Sequence, residues 1–159
     1  DQPRSRGLGD VYKRQPLELG GATISVVIHA TEDKDKVISK IVKVLSLNST
    51  KFQEFNTRGH WGNQIVLLNL SLGQTHAGRI IRTIYTSLGD NNKNTFLSSL
   101  EQSIDEKYNL YVRIDKQSIC REEISLSDQD SIKIKFRPSK KSRQSNKSET
   151  YRELLSSEQ

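Results

Sequence analysis

Residues 55–72 read FNTRGHWGNQIVLLNLSL. They hold the chain's one tryptophan, Trp61, with His60 beside it and Gly59 and Gly62 bracketing the pair. Glycine reaches positive φ without a Cβ clash, so RGHWGN predicts a tight corner. The run that follows, residues 65–72, is the most apolar of the chain. Its even positions, Val66, Leu68, Leu70 and Leu72, share one face of a strand, and Ile65 and Leu67 take the other. That pattern predicts a central strand partly covered on both sides. A weaker strand over 51–56 enters the corner, and antiparallel pairing across it is the natural connection.

The remaining elements attach to this hairpin. Residues 23–30 are β-branched and alternating, which predicts a first strand. Thr31, Glu32 and Asp33 then supply capping and acidic groups for a helix whose apolar positions are Val37, Ile38, Ile41, Val42 and Leu45. After Gly73, the stripe Ala77, Ile80, Ile81, Ile84, Tyr85 and Leu88 predicts a second helix with Arg79, Arg82 and Thr86 outward. Phe96, Leu97, Leu100 and Ile104 predict a third over 93–106. Residues 109–115 alternate with Leu110, Val112 and Ile114 inward and Tyr111 and Arg113 outward. Residues 116–130 are irregular, with a helical turn near Ser118–Cys120 and an edge segment near Ile124–Leu126. Residues 131–137 alternate most cleanly, with Ile132, Ile134 and Phe136 in and Lys133, Lys135 and Arg137 out; Pro138 ends the strand. The order β-α-β-β-α-α-β-β predicts an α+β domain. Its mostly antiparallel sheet of about four to five strands carries helices mainly on one face.

Composition sets the boundaries. A chain of 159 residues suffices for one domain with a real core. Residues 1–21 are expected to be a non-native or disordered leader, because GLGDVYKRQ resembles translated sequencing-adaptor sequence and carries little apolar content. Residues 22–138 form the domain, and 139–159 a basic tail. Ser148 caps a short helix there, marginal alone, with Tyr151, Leu154 and Leu155 on one side. The single cysteine, Cys120, excludes an internal disulfide or a cysteine metal cluster and fits a reducing cytoplasm. No apolar run approaches the roughly 20 residues of a membrane helix, and no membrane partner is expected. The net charge is +6, but residues 16–138 carry sixteen basic against fourteen acidic groups, so the folded part is near neutral and charge alone does not establish nucleic-acid binding.

Four segments carry a resemblance: VIHATED (27–33), RGHWGNQI (58–65), NLYVRIDKQ (109–117) and LSDQDSIKIKF (126–136). In order and spacing, 22–137 is similar to an archaeal family described as exosome-associated RNA-binding proteins. The resemblance implies a fold like that of the ribosomal protein L5 that binds 5S ribosomal RNA, and an RNA-related role. Two departures stand out: Asn63-Gln64-Ile65 replaces the family's Asn-Pro-Ile, removing a φ constraint, and Ile119-Cys120-Arg121 lacks its aromatic residue and glycine.

Catalytic chemistry has little support in the sequence. His29, His60 and His76 lie at a strand end, a corner and a helix start, and nothing in their spacing brings them together around a metal or a substrate. No phosphate-cradling glycine loop and no nucleophile–base signature is present. No catalytic residue, metal ligand or cofactor is therefore assigned, and a hydrolase or nuclease using His60 and Asp115 ranks last. Binding candidates are stronger. Lys133, Lys135 and Arg137 recur along one strand face at roughly 6.5–7 Å, close to a single-strand phosphate step, although such a row also protects a sheet edge. Arg79 and Arg82 lie one helical turn apart on a face that ordinary solvation also explains. His60 and Trp61 either stack on bases or, for Trp61, cap the core at the corner. Arg113 beside Tyr111, Lys116 and the tail complete the set. The leading expectation is a non-enzymatic RNA-binding protein of RNA processing, in an assembly such as the exosome, or of ribosome maturation. The alternative is a protein–protein adaptor of such a complex that never touches RNA. The oligomeric state stays open, a dimer through the sheet edge being one option.

Overall fold

The computed structural model describes residues 19–47, 51–139, 151–152 and 154–155. In chain order the elements are β1 (Leu19–His29), α1 (Lys34–Val44), β2 (Gln53–Arg58), β3 (Gln64–Leu72), α2 (Gln74–Ser87), α3 (Asp90–Ser98), α4 (Leu100–Ser103), β4 (Leu110–Asp115), α5 (Lys116–Cys120) and β5 (Ser131–Pro138). The five strands form one sheet in the order β2-β3-β1-β5-β4, every neighbouring pair antiparallel. The α+β class and the antiparallel sheet agree with the sequence pattern.

The centre of the sheet is β1, where the sequence pointed to β3. β1 pairs with β3 on one side, from Ala22↔Leu72 to His29↔Ile65, and with β5 on the other. Its even residues, Ala22, Ile24, Val26 and Ile28, are buried against Val37 and Ile41 of α1 and Ile80, Ile81 and Ile84 of α2. Past the irregularity between Leu19 and Gly21, its odd residues face the opposite way, and Val27 and His29 are exposed. β3 alternates likewise: Leu68 and Leu70 are buried, and Leu67 is open to solvent. Helices thus cover one face, and the second cover expected over Ile65 and Leu67 is absent among the described residues.

Local chemistry fixes the helices. The Asp33 side chain accepts from Lys36 N and caps α1, with Asp35 in the first turn. α2 buries Ala77, Ile80, Ile81, Ile84 and Tyr85 along one stripe. The single helix expected over 93–106 is broken at Ser99. Its N–H is shared between the Thr95 and Phe96 carbonyls and its Oγ donates to Phe96 O at 3.0 Å, which competes with helix propagation.

The chain ends also depart from expectation. Leu19 and Gly21, placed by sequence in the leader, pair with Pro138 and Arg137 of β5. Residues 1–18 and the basic stretch 140–150 lie outside the described residues. Tyr151, Leu154 and Leu155 are buried within the main core. The Tyr151 hydroxyl donates to Tyr108 O at 2.7 Å, and Arg152 Nη2 to Leu97 O at 2.9 Å. Tyr108 sits at φ 69°, a left-handed position that turns the chain into β4 and presents its carbonyl to Tyr151.

Candidate functional site

Cross-strand register lays the open sheet face out in rows. One row runs Gln53, Asn69, Ser25, Lys133, Arg113 across all five strands. The next runs Ser71, Thr23, Lys135, Tyr111, and beyond it Gly21 pairs with Arg137. In the opposite direction the rows are Phe55, Leu67, Val27 and then Thr57, Ile65, His29. The structure therefore brings together Lys133, Lys135, Arg137 and Arg113, four of the residues singled out from sequence. Successive rows lie roughly 6.5–7 Å apart. No acidic side chain falls within the three rows that hold these cations.

Tyr111 organises the basic half. Lys133 Nζ lies 5.2 Å and Lys135 Nζ 5.9 Å from its ring centroid, so both ammoniums are within cation–π range of one ring. The Tyr111 hydroxyl donates to Asp105 Oδ2 at 3.0 Å. Burial and the acceptor at Asp105 both raise the Tyr111 hydroxyl above its ordinary pKa. Burial pushes the Asp105 carboxyl up, but hydrogen bonds from Asn109, Tyr111 and Lys107 outweigh it and hold the group below its usual value. At the far end the Arg137 guanidinium donates to Thr23 Oγ1 at 2.5 Å and lies over Gly21. A Cβ on Gly21 would stand 2.8 Å from Arg137 Nη2, so the glycine makes room for that guanidinium.

Lys116 does not join this surface. Its side chain is 1% exposed, with Nζ 2.7 Å from Val27 O and 2.8 Å from both Glu32 Oε1 and Asp130 Oδ1. Those three contacts use all three ammonium protons, leaving none for a phosphate. Asp130 is held below the usual carboxylate range, chiefly by the hydrogen bond from Lys116. His29 Nε2 lies 3.8 Å from the same carboxylate. His29, Glu32 and Asp130 each offer a ligand atom within 4.8 Å of the others, as a cation site requires, but the Lys116 ammonium already supplies the positive charge between the two carboxylates.

The other sequence candidates are dispersed. Arg79 and Arg82 are exposed on α2, whose opposite stripe packs against β1, so they sit on the helical side of the domain. His60 and Trp61 ride on the β2–β3 corner, closed by Gly59 N to Asn63 O at 2.7 Å and by Gly62 at φ 81°. Trp61 is 88% exposed and packs edge-on to His60 at 4.8 Å, so it is no lid over the core. Five residues separate the Asn69 row from Gln64 at the corner, a distance of roughly 17 Å along the strand. Asp115 caps α5 by accepting from Ser118 N and Oγ, and three strand spacings, about 14 Å, separate β4 from β3 and its His60 corner. Sequence inspection missed Phe55, which is 52% exposed on the open face beside Leu67. Alternation from Leu67 across the corner gives the signal, since both residues occupy outward positions of one hairpin.

The profile of a family described as RNA binding matches residues 22–137, which span all five strands save the first residues of β1 and Pro138. An RNA-binding protein of Pyrococcus abyssi is 25% identical over 135 residues, covering 79% of this chain and 88% of the relative. An uncharacterised protein of Methanocaldococcus jannaschii is 29% identical over 121 residues, covering 72% and 80%. The crystal structure of a protein from Archaeoglobus fulgidus superposes with a TM-score of 0.72 at 30% identity, covering 86% of this chain and 99% of that one. With most of its length matched by the profile and with these archaeal relatives, the chain belongs to this RNA-binding family.

Proposed function

We propose that the chain is a non-enzymatic RNA-binding protein whose open sheet face meets the RNA backbone through Lys133, Lys135, Arg137 and Arg113. The observation that carries this is the register: four cations on adjoining strands, unopposed by acid within their rows. Phosphate contact needs cations that are both clustered and uncommitted to carboxylates, and this is where the fold supplies them. The sequence resemblance supports a setting in RNA processing, in an assembly such as the exosome, or in ribosome maturation, with a fold akin to the ribosomal protein that binds 5S RNA; the single cysteine supports a cytoplasmic location.

The test is fluorescence anisotropy of the full chain with labelled RNA across a salt series, beside the double variant Lys133→Ala/Lys135→Ala. The expected result is a loss of tenfold or more in affinity at low salt and a shallower salt dependence for the variant. Equal binding by both proteins refutes the sheet-face assignment. No binding by either leaves a protein–protein adaptor; the α2 stripe and Tyr151, Leu154 and Leu155 being buried, its contact surface would be the exposed Phe55 and Leu67.

A further inference from the structure

Resting on that function, we infer that the ligand of this face is an unpaired RNA strand of about four nucleotides, its backbone along β5 and its bases turned across β1 and β3. The two halves of the face differ sharply in chemistry. β4 and β5 contribute Arg113, Lys133, Lys135 and Arg137. The paired positions of β1, β2 and β3 on the same face contribute Gln53, Phe55, Thr57, Ile65, Leu67, Asn69, Ser71, Thr23, Ser25, Val27 and His29, with no Lys or Arg among them. A duplex presents phosphates along both rims of a groove and calls for cations on both sides of its footprint. A single strand presents phosphates on one side and bases on the other, and that asymmetry is the one found here.

The uncharged half has what bases use. Asn69, Ser25, Gln53, Thr23 and Ser71 offer donors and acceptors in the two rows opposite the lysines. Val27, Leu67 and Phe55 form an apolar row beside them, and all three are exposed. Strands lie about 4.8 Å apart, so β1 and β3 fall within about 10 Å of β5, the side on which a base projects from its backbone. The footprint is bounded as well. Past Lys133 the next outward position of β5 is Ser131, whose β4 partner is Asp115, so like charge stops the backbone there. The four cations stand in three rows, Arg113 beside Lys133, and three phosphate positions along β5 give a log–log salt slope of about −2.1 for single-stranded RNA.

The experiment measures a mixed-sequence single-stranded RNA of eight nucleotides against its own duplex, with wild type and with Phe55→Ala/Leu67→Ala. Single strand is expected to bind at least tenfold tighter than duplex. The variant is expected to weaken single-strand binding about fivefold at an unchanged salt slope, since it removes no phosphate contact. Should that variant fail to fold, Asn69→Ala, which deletes a polar group and leaves the apolar row intact, is expected to weaken single-strand binding two- to threefold at the same slope. Equal affinity for duplex overturns the single-strand inference and leaves RNA binding standing. Weakening that comes with a change in slope also overturns it. Binding to neither probe removes both.

Discussion

Replacing Lys116 with Met keeps the side-chain volume and deletes the ammonium, which separates a structural role from a binding one. In the native protein Nζ lies within 2.8 Å of Val27 O, Glu32 Oε1 and Asp130 Oδ1, joining the end of β1, the turn after it and the entry to β5. Removing one partner of a fully buried ion pair costs about 3–5 kcal/mol, because the other charge is left without compensation. Here the carboxylates keep some water, Glu32 being 18% and Asp130 44% exposed, so the expected loss at pH 7 is nearer 2–3 kcal/mol. For a domain of this size that corresponds to a fall in Tm of roughly 8 °C. The effect is pH-dependent. Lys116 holds the folded Asp130 below its ordinary pKa, so the interaction stabilises the fold above the unfolded value of about 3.9 and is lost as pH falls through the folded value. Differential scanning calorimetry should therefore show the largest gap between wild type and K116M near neutrality, narrowing below about pH 4. RNA affinity of the folded variant should match wild type within twofold. Equal melting temperatures at pH 7, or a loss of RNA affinity without a change in stability, would refute the assignment of Lys116 to the interior.

Other perturbations separate the parts of the fold. Tyr151→Phe removes a buried donor to Tyr108 O and is expected to lower stability by about 1–2 kcal/mol in urea denaturation, showing that the terminal segment is docked. Gly21→Ala places a Cβ 2.7 Å from the Leu72 carbonyl, a backbone atom of β3, and should destabilise by about 1–3 kcal/mol, read as a lowered denaturation midpoint at constant slope. Trp61→Ala, at a side chain 88% exposed, should change stability by less than about 0.5 kcal/mol. Its RNA effect should depend on length: none on a four-nucleotide strand confined to the basic rows, and a several-fold loss on one of about twelve nucleotides that reaches the corner.

The sequence made the elements legible because each carries its own period. The apolar stripe of α2 and the alternation of β5 are local facts, and both stand in the structure. Lys116 shows where local inference fails. The sequence reading counted it among the RNA-binding residues, yet it shares the parity of Leu110, Val112 and Ile114, all buried. Parity places it inward; what makes that position tolerable is a carboxylate 84 residues earlier in the chain. No spacing rule encodes that partner. For Trp61 it is the reading as a cap over the core that fails, since a tryptophan at a corner covers a core only if the corner folds back, and this side chain is 88% exposed.

The apolar run of β3 carries the remaining lesson. A strand apolar on both faces implies two covers, as in sheets packed between layers of helices. In this fold the helices satisfy only one face, burying Leu68 and Leu70 and leaving Leu67 open. Leu67 could be polar without loss to the core, and so could Val27 and Phe55, which flank it in the same row. Three large apolar side chains aligned across three strands, where alternation calls for polar ones, are surplus to folding and form a contiguous patch of the kind that marks a contact surface. The patch adjoins the lysine rows rather than lying at random on the sheet. A ligand charged along one edge and apolar along the other fits both halves at once, which is the ground for proposing base as well as backbone contact on this face.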